Sequence, residues 1–197
     1  MAESKKPAAG LIRLGATLGI AAVTGAAFAW PALAGALIYQ RADILAGQAW
    51  RLWTGHLVHY TASHLLWDLA VFLGAGLWLE KIAPRLARWF YLLAPPAISG
   101  ALLWGEPALE RYAGLSGLAA GLLVLLALVQ LRPGTNEPRW FWLAVLALVA
   151  VKVVVESTTH APLLARFDAG FTVVPLAHLA GIGCALVAFL VWRKKPA

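Results

Sequence analysis

This chain has little charge. Only 13% of its 197 residues are Asp, Glu, Lys or Arg, where a soluble domain carries about a quarter. With 61% hydrophobic residues and a mean hydropathy of +0.77, an ordinary soluble globule is excluded. The length suits one compact membrane bundle rather than several domains. Acidic residues are scarcer still, 9 against 16 basic ones, for a net charge of +7. In a soluble protein that balance would suggest nucleic acid as a partner. Here the basic residues sit in short clusters between apolar runs, as orientation signals do, so the expected partner is the lipid bilayer and not nucleic acid. The single cysteine, Cys184, excludes an internal disulfide and a Cys-based metal cage. Its expected role is helix packing.

Apolar segments of spanning length, roughly 17–25 residues, read at about 14–38, 61–79, 89–104, 113–131, 140–155 and 173–192. This predicts an all-α membrane protein of six spans between a short tail (1–10) and a basic one (193–197). The third and fifth spans look short, and Pro95-Pro96 is expected to kink or break the third. The start imitates a signal peptide, with basic residues, an apolar run and the Ala32–Gly35 "ALAG". The run is much longer than an h-region of ~7–15 residues, so an uncleaved first helix is expected. Assigning basic residues to alternate sides puts Lys5, Lys6, Arg13, Lys81, Arg85, Arg88, Arg132, Arg139, Arg193, Lys194 and Lys195 on one side. Arg41, Arg51, Arg111 and Arg166 fall on the other. The richer side is cytoplasmic, and both termini are expected there. Tryptophans such as Trp30, Trp50, Trp89, Trp104, Trp140, Trp142 and Trp192 fall mostly at segment ends and read as interfacial anchors.

In this topology the second, fourth and sixth spans start at one outer depth, and each starts with an unusual polar residue. "SHLLWD" sets His64 and Asp68 one turn apart on one face, "GLSG" carries Ser116, and "AHLAG" carries His178. Ionisable groups within spans are costly and read as functional by default. A serine and a histidine at one depth suggest a nucleophile and its base. Gly114 and Gly117 would clear room beside the hydroxyl, while Gly117, Gly121 and Gly181 would let the fourth and sixth spans approach closely. Donors for a developing oxyanion would come from the Ser116 backbone N–H, the positive end of the fourth helix and His64.

Plainer readings stand beside this one. A Gly-x-Ser-Gly can be packing, and a lone histidine an interfacial residue. His56, His59 and His64 could instead hold a metal or haem, although no Cys or Met partner is evident. Lys152 and Glu156, four apart in the fifth span, read as a structural pair.

Taken together these residues resemble the rhomboid family of intramembrane serine proteases. The resemblance runs through "AGQAWRLWTGHLVHYTASHLLWDL", with its Trp50-Arg51 pair, His59 and His64, then "GLSG" and "AHLAG". It implies a six-helix rhomboid-like bundle with Ser116 as nucleophile and His178 as base, a dyad without an acid. His64 and the Ser116 amide would line the oxyanion hole, and Gly114, Gly117, Gly181, Trp50 and Arg51 would support the motifs. The loop from Glu156 to Thr172 would cap the site. The implied substrate is a transmembrane or C-terminally anchored protein, cut near the outer surface of a bacterial plasma membrane. No cofactor or metal is implied, and a monomer should suffice.

Three positions depart from the pattern. Asp68 stands where the family usually has Asn, and is expected to be protonated or paired with His64 as imidazolium. A role in orienting His64 is as well supported. Ala120 replaces a tyrosine that often packs against the base, so His178 must be held some other way. Ala185 replaces a common glycine. The departures and the bare six-helix length resemble the rhombosortase branch, rhomboids devoted to trimming C-terminal Gly-Gly sorting tails. The rival expectations are a catalytically silent relative that binds membrane clients and a His-ligated haem or metal protein.

Overall fold

The computed structural model describes residues 15–159, 161 and 173–193. The expected first tail, residues 194–197 of the basic one, and residues 160 and 162–172 of the expected cap lie outside the described residues, while 156–159 of that cap and Arg193 of that tail are helical instead. The helices are α1 (Gly15–Ala29), α2 (Pro31–Leu37), α3 (Arg41–Leu45), α4 (Arg51–Thr54), α5 (Ala62–Ile82), α6 (Pro84–Gly105), α7 (Ser116–Gln130), α8 (Arg139–Thr159) and α9 (Pro175–Arg193). A 3-10 turn, Gly55–Leu57, follows α4. The two-residue strands β1 (Tyr39–Gln40) and β2 (Arg111–Tyr112) pair antiparallel, Tyr39 opposite Tyr112.

Four helices, α5, α6, α8 and α9, are long and apolar enough to cross a membrane, and the bent pair α1–α2 would make a fifth. The first expected span is therefore not one straight helix, for the chain bends by 118° between α1 and α2. Pro31 is the cause. Its ring drives Trp30 out of the helical region, to φ −127° and ψ 95°, and Pro31 then opens α2 as its first residue. Pro95-Pro96 does not break the third segment, since α6 runs on through both for 22 residues. Pro96 has no N–H for the Leu92 carbonyl, and the Trp53 indole donates to that carbonyl instead, at 2.8 Å. Neither the third nor the fifth segment is short, since α8 has 21 residues.

The fourth segment is the short one. α7 has 15 residues, about 22 Å at ~1.5 Å each, less than a bilayer core of ~30 Å. It is also the most enclosed, with Gly117–Gly121 and most of its later residues buried. Its first residue is Ser116. Trp142 departs from the anchor reading: it is 2% exposed, its ring 5.2 Å from that of Trp78.

Candidate active site

The segment between α2 and α5 is built around Arg51, which is buried. Its guanidinium donates to the carbonyls of Gly35 (3.2 Å) and Ile38 (2.6 Å) and to Gln48 Oε1 (2.8 Å), and pairs with Asp43 (3.1 Å). Those two carbonyls lie at the C-terminal end of α2, where helix carbonyls lack internal partners. Trp50 donates to a third, that of Ala36 (3.3 Å). The Trp-Arg pair is thus a clamp on the end of α2. Arg41 does the same for α6, donating to the Leu103 carbonyl at 2.6 Å.

His56 points away from the other histidines. Ser99 donates its hydroxyl hydrogen to the Leu52 carbonyl, so His56 Nε2–H donates both to Ser99 Oγ and to the Pro95 carbonyl, each at 3.0 Å. Complete burial holds this ring neutral, with its pKa lowered to about 4. The expected grouping of His56 with His59 and His64 is not assembled.

His59 and His64 instead converge on Asp68. Thr61 caps α5, its hydroxyl accepting from the His64 N–H at 3.2 Å, and this sets His64 in the first turn. Asp68, one turn on, receives the Nε2 atoms of both His59 (3.0 Å) and His64 (3.1 Å) on a single oxygen. The rings meet edge to face at 4.8 Å. His59, His64 and Asp68 are all buried, with one ligand atom each inside 4.8 Å, a spacing a metal ion could also use. The Leu115 N–H also reaches His59 Nε2, at 3.4 Å. His59 was not anticipated as Asp68's second partner, for it lies outside the helix whose spacing paired Asp68 with His64.

Gly114 joins this cluster to α7. Its φ of +133° suits glycine, and a Cβ there would stand 2.7 Å from His64 Cε1. Tyr112 donates to the Gly114 carbonyl at 3.1 Å and is also a hydrogen-bonding neighbour of the Ser116 side chain. Its ring packs on His56 and Tyr39, and burial raises its phenol well above the ordinary value. Ser116 follows, half-buried, at the N-terminus of α7, where the first backbone N–H groups lack helical acceptors.

α9 crosses α7 at backbone contact. A Cβ on Gly117 would lie 2.7 Å from the Ala177 carbonyl oxygen, and one on Gly181 would lie 2.0 Å from that of Gly117. Gly121 faces the Gly181 carbonyl in the same way, at 2.3 Å. Gly117 directly follows Ser116 and Ala177 directly precedes His178, so the crossing brings the two chain segments together. His178 is buried, and its Nε2 has no hydrogen-bond partner among the described residues. A Ser116–His178 hydrogen bond is therefore not formed in this state. Nδ1 lies 3.2 Å from Glu156 Oε2, within ion-pair reach but off the straight line of a good hydrogen bond. The same carboxylate oxygen is 2.5 Å from Lys152 Nζ. The pair read as structural thus has a third member, which spacing within α8 could not show. A groove of about 1080 Å³ between α6 and α9, lined by Arg85, Trp89, Arg132 and Trp192, does not include Ser116 or His178.

The rhomboid-domain family model matches residues 46–194, from the turn after α3 to just past α9. The chain belongs to the rhomboid family. Rhomboids are serine intramembrane proteases acting on membrane-protein substrates within the bilayer, and some members are inactive. The apolar helices of this rhomboid accord with a multi-pass membrane protein. Among curated proteins no sequence matches it.

Proposed function

We propose that this rhomboid is an active intramembrane serine endopeptidase, with Ser116 as nucleophile and His178 as general base. The observation that carries the reading is the α7–α9 crossing, where Gly117 meets Ala177 between the two residues. The buried Nε2 of His178, without a hydrogen-bond partner among the described residues, supports it, being the lone pair that could take the hydroxyl proton. Ser116 Oγ attacks the scissile carbonyl while its proton passes to Nε2. The carbonyl oxygen takes the negative charge and draws on the Ser116 N–H, the positive end of α7 and His64. Asp68, gripped by His59 and His64, orients the His64 ring. Gly114 leaves room for the His64 ring, and Gly117 lets the α9 backbone come against α7 beside Ser116.

The finer reading follows the positive-inside count and the departures at Asp68, Ala120 and Ala185. It has six spans, both termini in the cytoplasm, and cleavage near the outer face of a bacterial plasma membrane. A rhombosortase-like role, trimming C-terminal Gly-Gly sorting tails, accords with it, and one chain holds the whole site. The test is labelling by a fluorophosphonate probe in detergent micelles. Wild type is expected to label, and Ser116→Ala and His178→Ala to fail. An unlabelled wild type, or equal labelling of all three proteins, overturns the reading.

A further inference from the structure

We infer that Glu156 is a positioning residue for the base, so that the site works as a serine–histidine–carboxylate relay rather than a dyad. The inference rests on the reading of Ser116 and His178 given above.

The buried residues of α8 are Trp142, Val149, Val153 and Glu156. Spaced seven, four and three apart, they form one inward stripe, and Glu156 is its last member. A carboxylate in a membrane helix costs least near lipid headgroups or water. This one turns inward and is only 2% exposed, while the side chain of its partner Lys152 remains 24% exposed. A Lys–Glu pair needed only to neutralise two charges could sit at the helix surface. The inward turn places Oε2 3.2 Å from His178 Nδ1.

That contact selects a tautomer. A neutral imidazole carries one N–H, and a carboxylate beside Nδ1 favours the proton there. The lone pair is then left on Nε2, which, unlike Nδ1, has no carboxylate in ion-pair reach and no hydrogen-bond partner among the described residues. During attack the Ser116 proton moves to Nε2 and the Oγ–C bond forms. The ring, now imidazolium, keeps its Nδ1 proton while Glu156 stays ionised and offsets the new charge. Nε2 then returns its proton to the departing amide nitrogen as the C–N bond breaks. Water deacylates the serine by the same route, so Glu156 gains and loses nothing. Lys152 keeps the carboxylate charged at rest.

Few other charges face the ring from the helices packed on α9. α7 carries no titratable side chain, and neither does α6 from Leu92 to Gly105. α8 supplies Glu156 and Lys152, and α9's own Cys184 lies beyond Gly181, more than a turn away. His59, His64 and Asp68 belong to the cluster at Gly114.

The experiment is the pH dependence of fluorophosphonate labelling by the full chain, for wild type, Glu156→Gln, Glu156→Asp and Lys152→Gln. Thermal midpoints serve as the folding control. Glu156→Gln is expected to label on the order of 10²–10⁴-fold more slowly, as when a carboxylate orienting such a base becomes an amide. Its acid limb should move to lower pH, because the imidazolium loses its counter-charge. Glu156→Asp should recover part of the rate, and Lys152→Gln should keep most of it with the limb moved to higher pH. If Glu156→Gln labels within threefold of wild type at an unmoved limb, the relay is wrong. Equal losses in the Lys152 and Glu156 variants would also sink it, as the mark of a structural pair. Should Glu156→Gln not fold, the limb of Lys152→Gln decides, and a shift downward or none refutes the relay. A wild type that never labels refutes instead the reading beneath it.

Discussion

Asp68 and Glu80 are buried carboxylates twelve residues apart on the inward stripe of α5, and they live in different company. Glu80 accepts the Thr17 backbone N–H at 2.9 Å, at the start of α1, where the helix dipole favours a negative charge. Thr17 in turn shares a 2.7 Å hydrogen bond with Tyr91 of α6. A Cβ on Gly76 would strike Tyr91 and Thr17 at under 3 Å, so this end is a packed knot of α1, α5 and α6. Around Asp68 the partners are two imidazoles, and Glu156, across α7, adds the imidazole of His178 to its Lys152 ammonium. Imidazole protons can move, and Nε2 of His178 has no partner among the described residues. Buried polarity binds helices together at one end, and at the other it surrounds the residues proposed to react.

The sharpest way to break this contrast is to empty each end in turn. Ser116→Ala should abolish labelling and turnover, a loss of at least ~10³-fold, at an unchanged thermal midpoint. Glu80→Ala should instead cost roughly 1–3 kcal/mol of stability and leave the labelling rate of the folded protein unaltered. If both variants change both measurements, the two ends are not separate in function.

The α7–α9 crossing offers a finer cut. Gly181→Val must drive the helices apart, costing roughly 1–3 kcal/mol by overpacking and most of the labelling. Gly183→Ala, two residues on with nothing within 4 Å, should change neither. Equal behaviour of the two would deny that backbone contact at the crossing matters.

His56 sharpens the comparison by pH. Its folded pKa of about 4 lies below the ordinary 6.5, so between those values the unfolded chain binds more protons. Stability from this group is complete above pH 6.5 and is lost as pH falls toward 4, a change on the order of 3 kcal/mol. Thermal melts of wild type and His56→Gln over that window should differ in slope, and parallel slopes would contradict the assignment. The smallest expected effect is at Asp68. Asp68→Asn keeps an acceptor for the rings and should retain or raise activity, so a loss above tenfold would argue against His64 at the oxyanion.

Prolines show where reading the sequence met its limit. Pro95-Pro96 looked like the breaker and Pro31 passed unremarked, yet α6 is whole and the first segment bends at Pro31. A proline frees a carbonyl wherever it falls. The difference is whether a distant donor, here Trp53, arrives to take it. Asp68's pairing with His64 could be read because one turn of helix separates them. Its pairing with His59, and Glu156's with His178, join separate elements that no periodicity relates. Ala120 had signalled that the base must be held by something else, and spacing could not say by what.

By itself the sequence settled the apolar segments and the polar residues that begin three of them, because hydropathy and helical spacing are local properties. It also foretold the close crossing, since glycines are what let two backbones touch. Only the tertiary structure decided which side chain each buried charge meets, because a low-dielectric interior makes every ionised group seek a partner across the bundle, wherever the chain has folded one into reach.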